Sequence, residues 1–250
     1  MTGAEKNIFA EFLDTAAAAL SGGYYSQRVV YNFADDRPDV PDVPRAALTN
    51  DTLDSIAAEI RACTRCPLHR ERKNAAPGEG IVQPLVLVIG EGPGADEDAS
   101  GRPFVGKAGQ LLDKMLTSIG LSREKNCFIA NIVKCRPPGN RDPEPEERAA
   151  CIPFLQRQLA ILKPLVILSA GRISATTLLE TGEGISRLRG IWKHYQGIPL
   201  LPTFHPSYLL RDESKKTLAW EDMKSLCRRI AELDSGYEAE TAALRSARHI

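Results

Sequence analysis

Four short apolar runs recur along the chain: "PLVLVIG" at 84–90, "NCFIANIVK" at 126–134, "PLVILSAG" at 164–171 and "GIPLLPTFH" at 197–205. Each is too short for a helix and rich in Val and Ile, as a strand buried on both faces should be. Between them lie "AGQLLDKMLTSIG", "PEERAACIPFLQRQLAILK" and "RISATTLLE", whose apolar residues fall three and four apart. That is the spacing of an amphipathic helix. Strand and helix in alternation predict a three-layer α/β/α fold around a central, mainly parallel four-stranded sheet. Upstream, Thr49 or Asn50 is placed to cap a helix that runs into Cys63.

The flanks read differently. "FAEFLDTAAAAL" predicts a peripheral helix stopped by Gly22-Gly23, and "DDRPDVPDVPRAA" an extended linker. The chain therefore divides into an N-terminal extension and Pro-rich linker at 1–50, a catalytic-type domain at 51–234 and a tail at 235–250. Lys+Arg and Asp+Glu both number 32, so the net charge is zero. Any polyanion must then meet a local basic patch rather than the field of the whole molecule. No apolar run approaches the roughly 20 residues a membrane span needs. The N-terminal apolar stretch is interrupted by acids and has no basic start, so a signal peptide is not expected. The expectation is a cytoplasmic protein, where clustered cysteines mean metal or catalysis more often than disulfides.

In an open parallel sheet, ligands bind beyond the carboxyl ends of the strands. There this sequence puts "GEGPGADEDASGRPFVGKAG", then Asn131 with "KCRPPGNRDP" behind it, then "SAGR", then "HPSYLLR". "GEGPG" exposes bare backbone, but lacks both the phosphate-loop Lys and the dinucleotide glycine spacing, so a nucleotide cofactor is not expected. Cys63 and Cys66 form a C-x-x-C, and Cys135 and Cys151 complete a set of four. Such a set suits tetrahedral zinc or an iron–sulfur cluster, and the irregular second pair favours the cluster. Cys127 and Cys227 fall at apolar positions and read as buried small hydrophobes. His205, directly after a predicted strand, and Phe104, in a Gly/Pro-rich loop, are the remaining chemical candidates.

"CTRC", "GEGPGADEDASGRPFVGKAG", "ANIVKCRPPGNRDP", a following cysteine and "HPSYLLR", in this order, resemble the iron–sulfur (family 4) uracil-DNA glycosylases over residues 55–230. The resemblance implies an enzyme that flips deoxyuridine out of DNA and hydrolyses its glycosidic bond. It implies a 4Fe–4S cluster on Cys63, Cys66, Cys135 and Cys151. It gives Glu91 and Gly92 to the wall of a uracil pocket, Phe104 to stacking on the base and Asn131 to its Watson–Crick edge. His205 would stabilise charge on uracil O2, and Glu97, with Glu91, would orient the attacking water. Gly92 and Ala95 depart from the commoner alanine and acid, without removing a contact. The basic insert of relatives that trap uracil covalently is missing after "GRPFVGKAG", which implies ordinary turnover.

For DNA contacts the sequence nominates Arg70 and Arg72 beside the first cysteines, Arg211 for a phosphate, and Leu209 or Leu210 as a wedge into the gap a flipped base leaves. The expected partner is uracil-containing DNA, single- or double-stranded, bound by a monomer. Two rivals follow from the same residues: a non-catalytic iron–sulfur or zinc protein of nucleic-acid or redox type, and a glycosylase of broader base preference. The set Phe104, Asn131 and His205 separates the first rival from an enzyme, since a redox carrier has no need of it.

Overall fold

The computed structural model describes residues 51–237. The expected N-terminal helix and linker lie outside the described residues, as does the tail from 238 onward. The strands are β1 (Glu79–Gly80), β2 (Val86–Gly90), β3 (Cys127–Asn131), β4 (Val166–Ala170), β5 (Lys193–Tyr195) and β6 (Ile198–Thr203). They form one sheet in the order β1-β3-β2-β4-β6-β5. The four strands read from the sequence are its parallel centre. The expected four-stranded sheet is widened to six by β1 and β5, which pair antiparallel at the two edges. These edges are two and three residues long and part-exposed, too short to carry a hydrophobic period.

The helices are α1 (Leu53–Ala62), α2 (Ala95–Ser100), α3 (Lys107–Thr117), α4 (Pro145–Leu162), α5 (Arg172–Leu178), α6 (Ile185–Leu188), α7 (Pro206–Arg211) and α8 (Lys216–Leu233). Alternate residues of the central strands face opposite layers, as a pleat dictates. Leu87, Ile89, Phe128, Ala130 and Ile167 meet α1 and α4, while Val86, Val88, Ile129 and Leu168 meet α3 and α8. Every residue of β2, β3 and β4 is buried, which explains their continuous apolar sequences.

Helix α1 starts two or three residues later than a cap at Asn50 or Thr49 would put it. Thr52 is the cap, its hydroxyl accepting from the Ser55 N–H while the Ser55 hydroxyl accepts from the Thr52 N–H. Ile56 and Ile60, four apart, bury its inner face. On its outer side the Arg157 guanidinium of α4 pairs with both Asp51 and Glu59, holding both carboxyls below the usual carboxylate range. The domain also runs past 234: Tyr237 is buried and donates its hydroxyl to the Ile119 carbonyl. No helix among the described residues is long and apolar enough to cross a membrane.

Candidate active site

Strand β2 connects to β3 on one side, while its other neighbour β4 connects away to β6. The crossovers diverge between β2 and β4, which opens a crevice at their carboxyl ends. A cleft of about 520 Å³ lies there. Its walls come from all four loops that the sequence singled out: Glu91, Gly92 and Glu97 after β2, Arg141 and Asp142 after β3, Gly171 and Arg172 after β4, and His205 and Arg211 after β6. Phe104 is also a lining residue.

Asn131 stands behind this lining, 1% exposed, as the last residue of β3. Neither the nitrogen nor the oxygen of its side-chain amide has a hydrogen-bond partner among the described residues. A buried amide left unpaired costs roughly 1–3 kcal/mol. A fold keeps such a group where a ligand supplies the missing bonds. The Phe104 ring reaches the same spot. A Cβ on Gly90 would stand 2.4 Å from both the Asn131 amide oxygen and the Phe104 ring edge. Only glycine lets the ring and the amide converge over the end of β2.

His205 caps α7 with its own ring. Its Nδ1 accepts from the Ser207 N–H at 3.1 Å and bonds the Ser207 hydroxyl at 2.8 Å. A backbone N–H can only donate, so Nδ1 is the acceptor and Nε2 carries the proton. Desolvation, reinforced by the nearby Arg211 charge, pushes the ring pKa down to about 4. The imidazole is therefore a neutral Nε2–H donor at physiological pH, 5.5 Å from the Phe104 ring centroid.

The two acids differ. Glu97 has both oxygens committed: Oε2 accepts from the Gly94 N–H at 3.0 Å, and Oε1 from the Val105 and Gly106 N–H groups at 2.9 Å each. It ties the start of α2 to the Phe104 loop, and these three bonds hold the carboxylate at the cleft wall. Glu91 lines the cleft, and no hydrogen bond or ion pair among the described residues engages its carboxyl. Burial raises its pKa to about 7, helped by the Asp142 charge and opposed by Arg172.

Of the nominated DNA-contact residues, Arg70 is exposed, and Arg211 is exposed at the rim of the cleft. Arg72 is not available to a phosphate. It donates one arm to the Cys135 sulfur at 3.0 Å and the other to the Arg61 carbonyl at 2.6 Å. Leu209 is 1% exposed and packs on Phe204 and Ala219, so it cannot act as a wedge. Its neighbour Leu210 is 42% exposed.

Cys63, Cys66, Cys135 and Cys151 line one small cavity with Arg65, Arg72, Lys134 and Phe154. They come from the end of α1, the turn after it, the loop after β3 and the body of α4. Burial raises the thiol pKa values of Cys66 and Cys135 and pushes Cys151 up to about 11. Among the described residues no three His, Cys, Asp or Glu side chains are drawn tightly enough together to hold a single metal ion. Beside the cavity lies Lys134, 1% exposed, its ammonium bonded only to two neutral oxygens, the Asn131 carbonyl at 3.0 Å and the Gln158 amide at 2.9 Å. Cys127 and Cys227 are buried within the apolar core.

Gly90, Gly109, Arg123 and Lys134 escaped the sequence reading. Gly90 ends an apolar run, and a glycine at a strand's end is the one signal that pointed to it. Arg123 and Lys134 find partners as far as 44 and 24 positions along the chain, and no sequence pattern betrays the packing of Gly109.

Comparison with known proteins agrees with this geometry. Residues 77–224 match the model of the "Uracil DNA glycosylase superfamily". A type-4 uracil-DNA glycosylase of Pyrobaculum aerophilum is 47% identical over 184 residues, covering 70% of this chain and 91% of that protein. A type-4 uracil-DNA glycosylase of Thermotoga maritima is 44% identical over 168 residues, 66% of this chain and 86% of the relative. A type-5 uracil-DNA glycosylase of Pyrobaculum aerophilum is 26% identical over 225 residues.

Proposed function

The chain belongs to the uracil DNA glycosylase superfamily, and from that membership we propose that it hydrolyses the N-glycosidic bond of deoxyuridine in DNA, releasing uracil and leaving an abasic site. The carrying observation is the unpartnered amide of Asn131, buried at the end of β3 beside the Phe104 ring.

A base inside a duplex is out of reach, so the nucleotide is flipped into the cleft, at a cost of a few kcal/mol. An amide offers one donor and one acceptor, which match uracil O4 and N3–H and mismatch cytosine. The missing bonds of Asn131 are then made only by the right base, which converts an unsatisfied group into discrimination. The face of Phe104 receives the flat ring. As the glycosidic bond breaks, negative charge gathers on the base, and a neutral Nε2–H of His205 aimed at O2 stabilises it without adding a proton. Above a pH of about 7 Glu91 is a carboxylate in the cleft. It suits the anion that holds water near the positive sugar, while Glu97 keeps the Phe104 loop in place. Arg211 is suited to a flanking phosphate, and Leu210 to the gap left in the stack.

The four-cysteine cavity fits an iron–sulfur cluster better than zinc. Its four candidate donors are all sulfur, and their irregular spacing along the chain favours the cluster. Lys134 has no carboxylate partner among the described residues, and an anion beside a buried ammonium offsets its desolvation. A 4Fe–4S cluster on Cys63, Cys66, Cys135 and Cys151 supplies that negative charge and ties α1, the β3 loop and α4 together.

The deciding experiment is excision from a labelled single-stranded oligonucleotide with one deoxyuridine, followed by alkali. Cleavage confined to uracil, lost in Asn131→Ala, supports the reading. Cleavage of hypoxanthine- or xanthine-containing strands alone, or of none by cluster-loaded protein, overturns it.

A further inference from the structure

We propose that Arg123 is a positioning residue for the ring of Phe104, an inference that rests on the uracil-excising reading of the cleft. Phe104 adopts φ +52°, in the left-handed region. For a bulky side chain this backbone costs about 1–3 kcal/mol and persists only where the surroundings over-determine it. Residues 103–106 are gripped from three sides.

From the turn between α3 and β3, Arg123 donates Nη1 to the Pro103 carbonyl at 3.0 Å and Nη2 to the Phe104 carbonyl at 2.8 Å. This guanidinium is 6% exposed. It is aimed by Asp113 of α3, at 2.7 Å from Nη2 and 3.2 Å from Nε, and by Glu79 of β1 at 3.5 Å. From the cleft side, Glu97 takes the next two N–H groups, those of Val105 and Gly106. From α3, Gly109 packs so closely that a Cβ there would lie 2.0 Å from the Phe104 carbonyl.

Two successive carbonyls pulled one way and two successive N–H groups pulled the other fix the peptide planes around Phe104. Those planes fix the Cα–Cβ direction, which sends the ring toward Asn131 and His205. The two carbonyls match the planar fork of a guanidinium, and an ammonium can reach only one of them at a time. Arg123 does not line the cleft, so any effect it has on the reaction passes through the loop.

A double-mutant cycle of Arg123→Lys against Phe104→Ala tests this, with single-turnover excision, melting temperature and the NMR shifts of the His205 ring protons measured for each chain. Arg123→Lys keeps the buried charge and so the fold; Arg123→Met is the harsher companion. With Phe104 present, Arg123→Lys is expected to slow excision about tenfold and Arg123→Met about 10²-fold, the scale of a misplacement of about 1 Å. In the Phe104→Ala background neither adds a loss, because the residue through which Arg123 acts is gone. Equal fractional losses in both backgrounds overturn the proposal and leave Arg123 a structural strut. The His205 shifts read the ring current of Phe104 without turnover. They move in Arg123→Lys if the ring is released, and unchanged shifts overturn the proposal. If the wild-type chain excises no uracil, yet the His205 shifts still move in Arg123→Lys, the proposed substrate is rejected and the positioning role stands.

Discussion

Gly90 and Asn131 are register partners at the carboxyl ends of neighbouring parallel strands, and the amide oxygen of Asn131 lies 2.4 Å from where a Cβ on residue 90 would stand. The Phe104 ring edge lies equally close to that point. The convergence of amide and ring in this fold thus depends on a side chain that is missing as much as on those present.

Gly90→Ala is expected to lower uracil excision by roughly 10²-fold or more, since the methyl group displaces the amide or the ring by about 1 Å. The lesion is confined to the pocket, so the chain still folds. Single-turnover rates and melting curves on the same preparation check this. A rate within threefold of wild type shows that amide and ring do not need their present contact.

The central sheet was legible because its four parallel strands bury both faces and so leave uninterrupted apolar text. The edge strands were not: two or three half-exposed residues carry no period. The site was legible where chemistry sits at strand ends, as with Asn131 and His205. It was illegible where the role depends on which way a side chain turns. Arg72 sits in a basic stretch that suggests phosphate, yet its partner is a sulfur 63 positions away. Leu209 and Leu210 are adjacent, and only the packing of α7 on Phe204 and Ala219 decides which is buried. Glu97 sits in an acidic run that reads as solvated, and its purpose appears only when the Phe104 loop folds back onto it.

The pH profile should carry the signatures of two groups. Burial raises the Glu91 pKa to about 7, and the proposed reaction uses its anion, so excision is expected to fall as pH drops through about 7. Glu91→Gln lowers the plateau and removes that limb. A second decline waits until about pH 4, where His205 gains its proton and its neutral donor character is lost. The sign carries over to stability. Because folding raises the Glu91 pKa above the ordinary value of 4.5, its contribution is full below that value and is lost as pH rises through about 7. The melting-temperature gain of Glu91→Gln over wild type therefore grows between pH 5 and pH 8. A constant difference assigns the limb to another group.

Arg72 and Arg211 should fail in different ways. Arg72→Gln removes a charged donor from the Cys135 sulfur, and partners of metal ligands are typically worth about 10–100-fold in affinity. The variant is expected to retain less iron and sulfide per chain after purification or chelator challenge. The slope of DNA affinity against salt stays unchanged. Arg211→Gln keeps its iron and loses about one unit of that slope, as one phosphate contact does. Iron assays and a salt titration separate the two, and an altered slope in Arg72→Gln returns that residue to the DNA surface.

The paired leucines of α7 make the sharpest contrast, because their sequence context is nearly identical. Leu209→Ala empties a site that is 1% exposed and is expected to cost about 2–5 kcal/mol of stability. Excision follows that loss on every substrate alike. Leu210→Ala removes a side chain that is 42% exposed, so stability hardly changes. Its effect is expected to fall on duplex substrate, where a wedge must hold open the stack from which the base has left, and to be small on single strands. The ratio of duplex to single-strand rates isolates this role from stability and from chemistry. If Leu210→Ala slows both substrates equally, the side chain is not a wedge, and base extrusion rests on the phosphate contacts and the pocket alone.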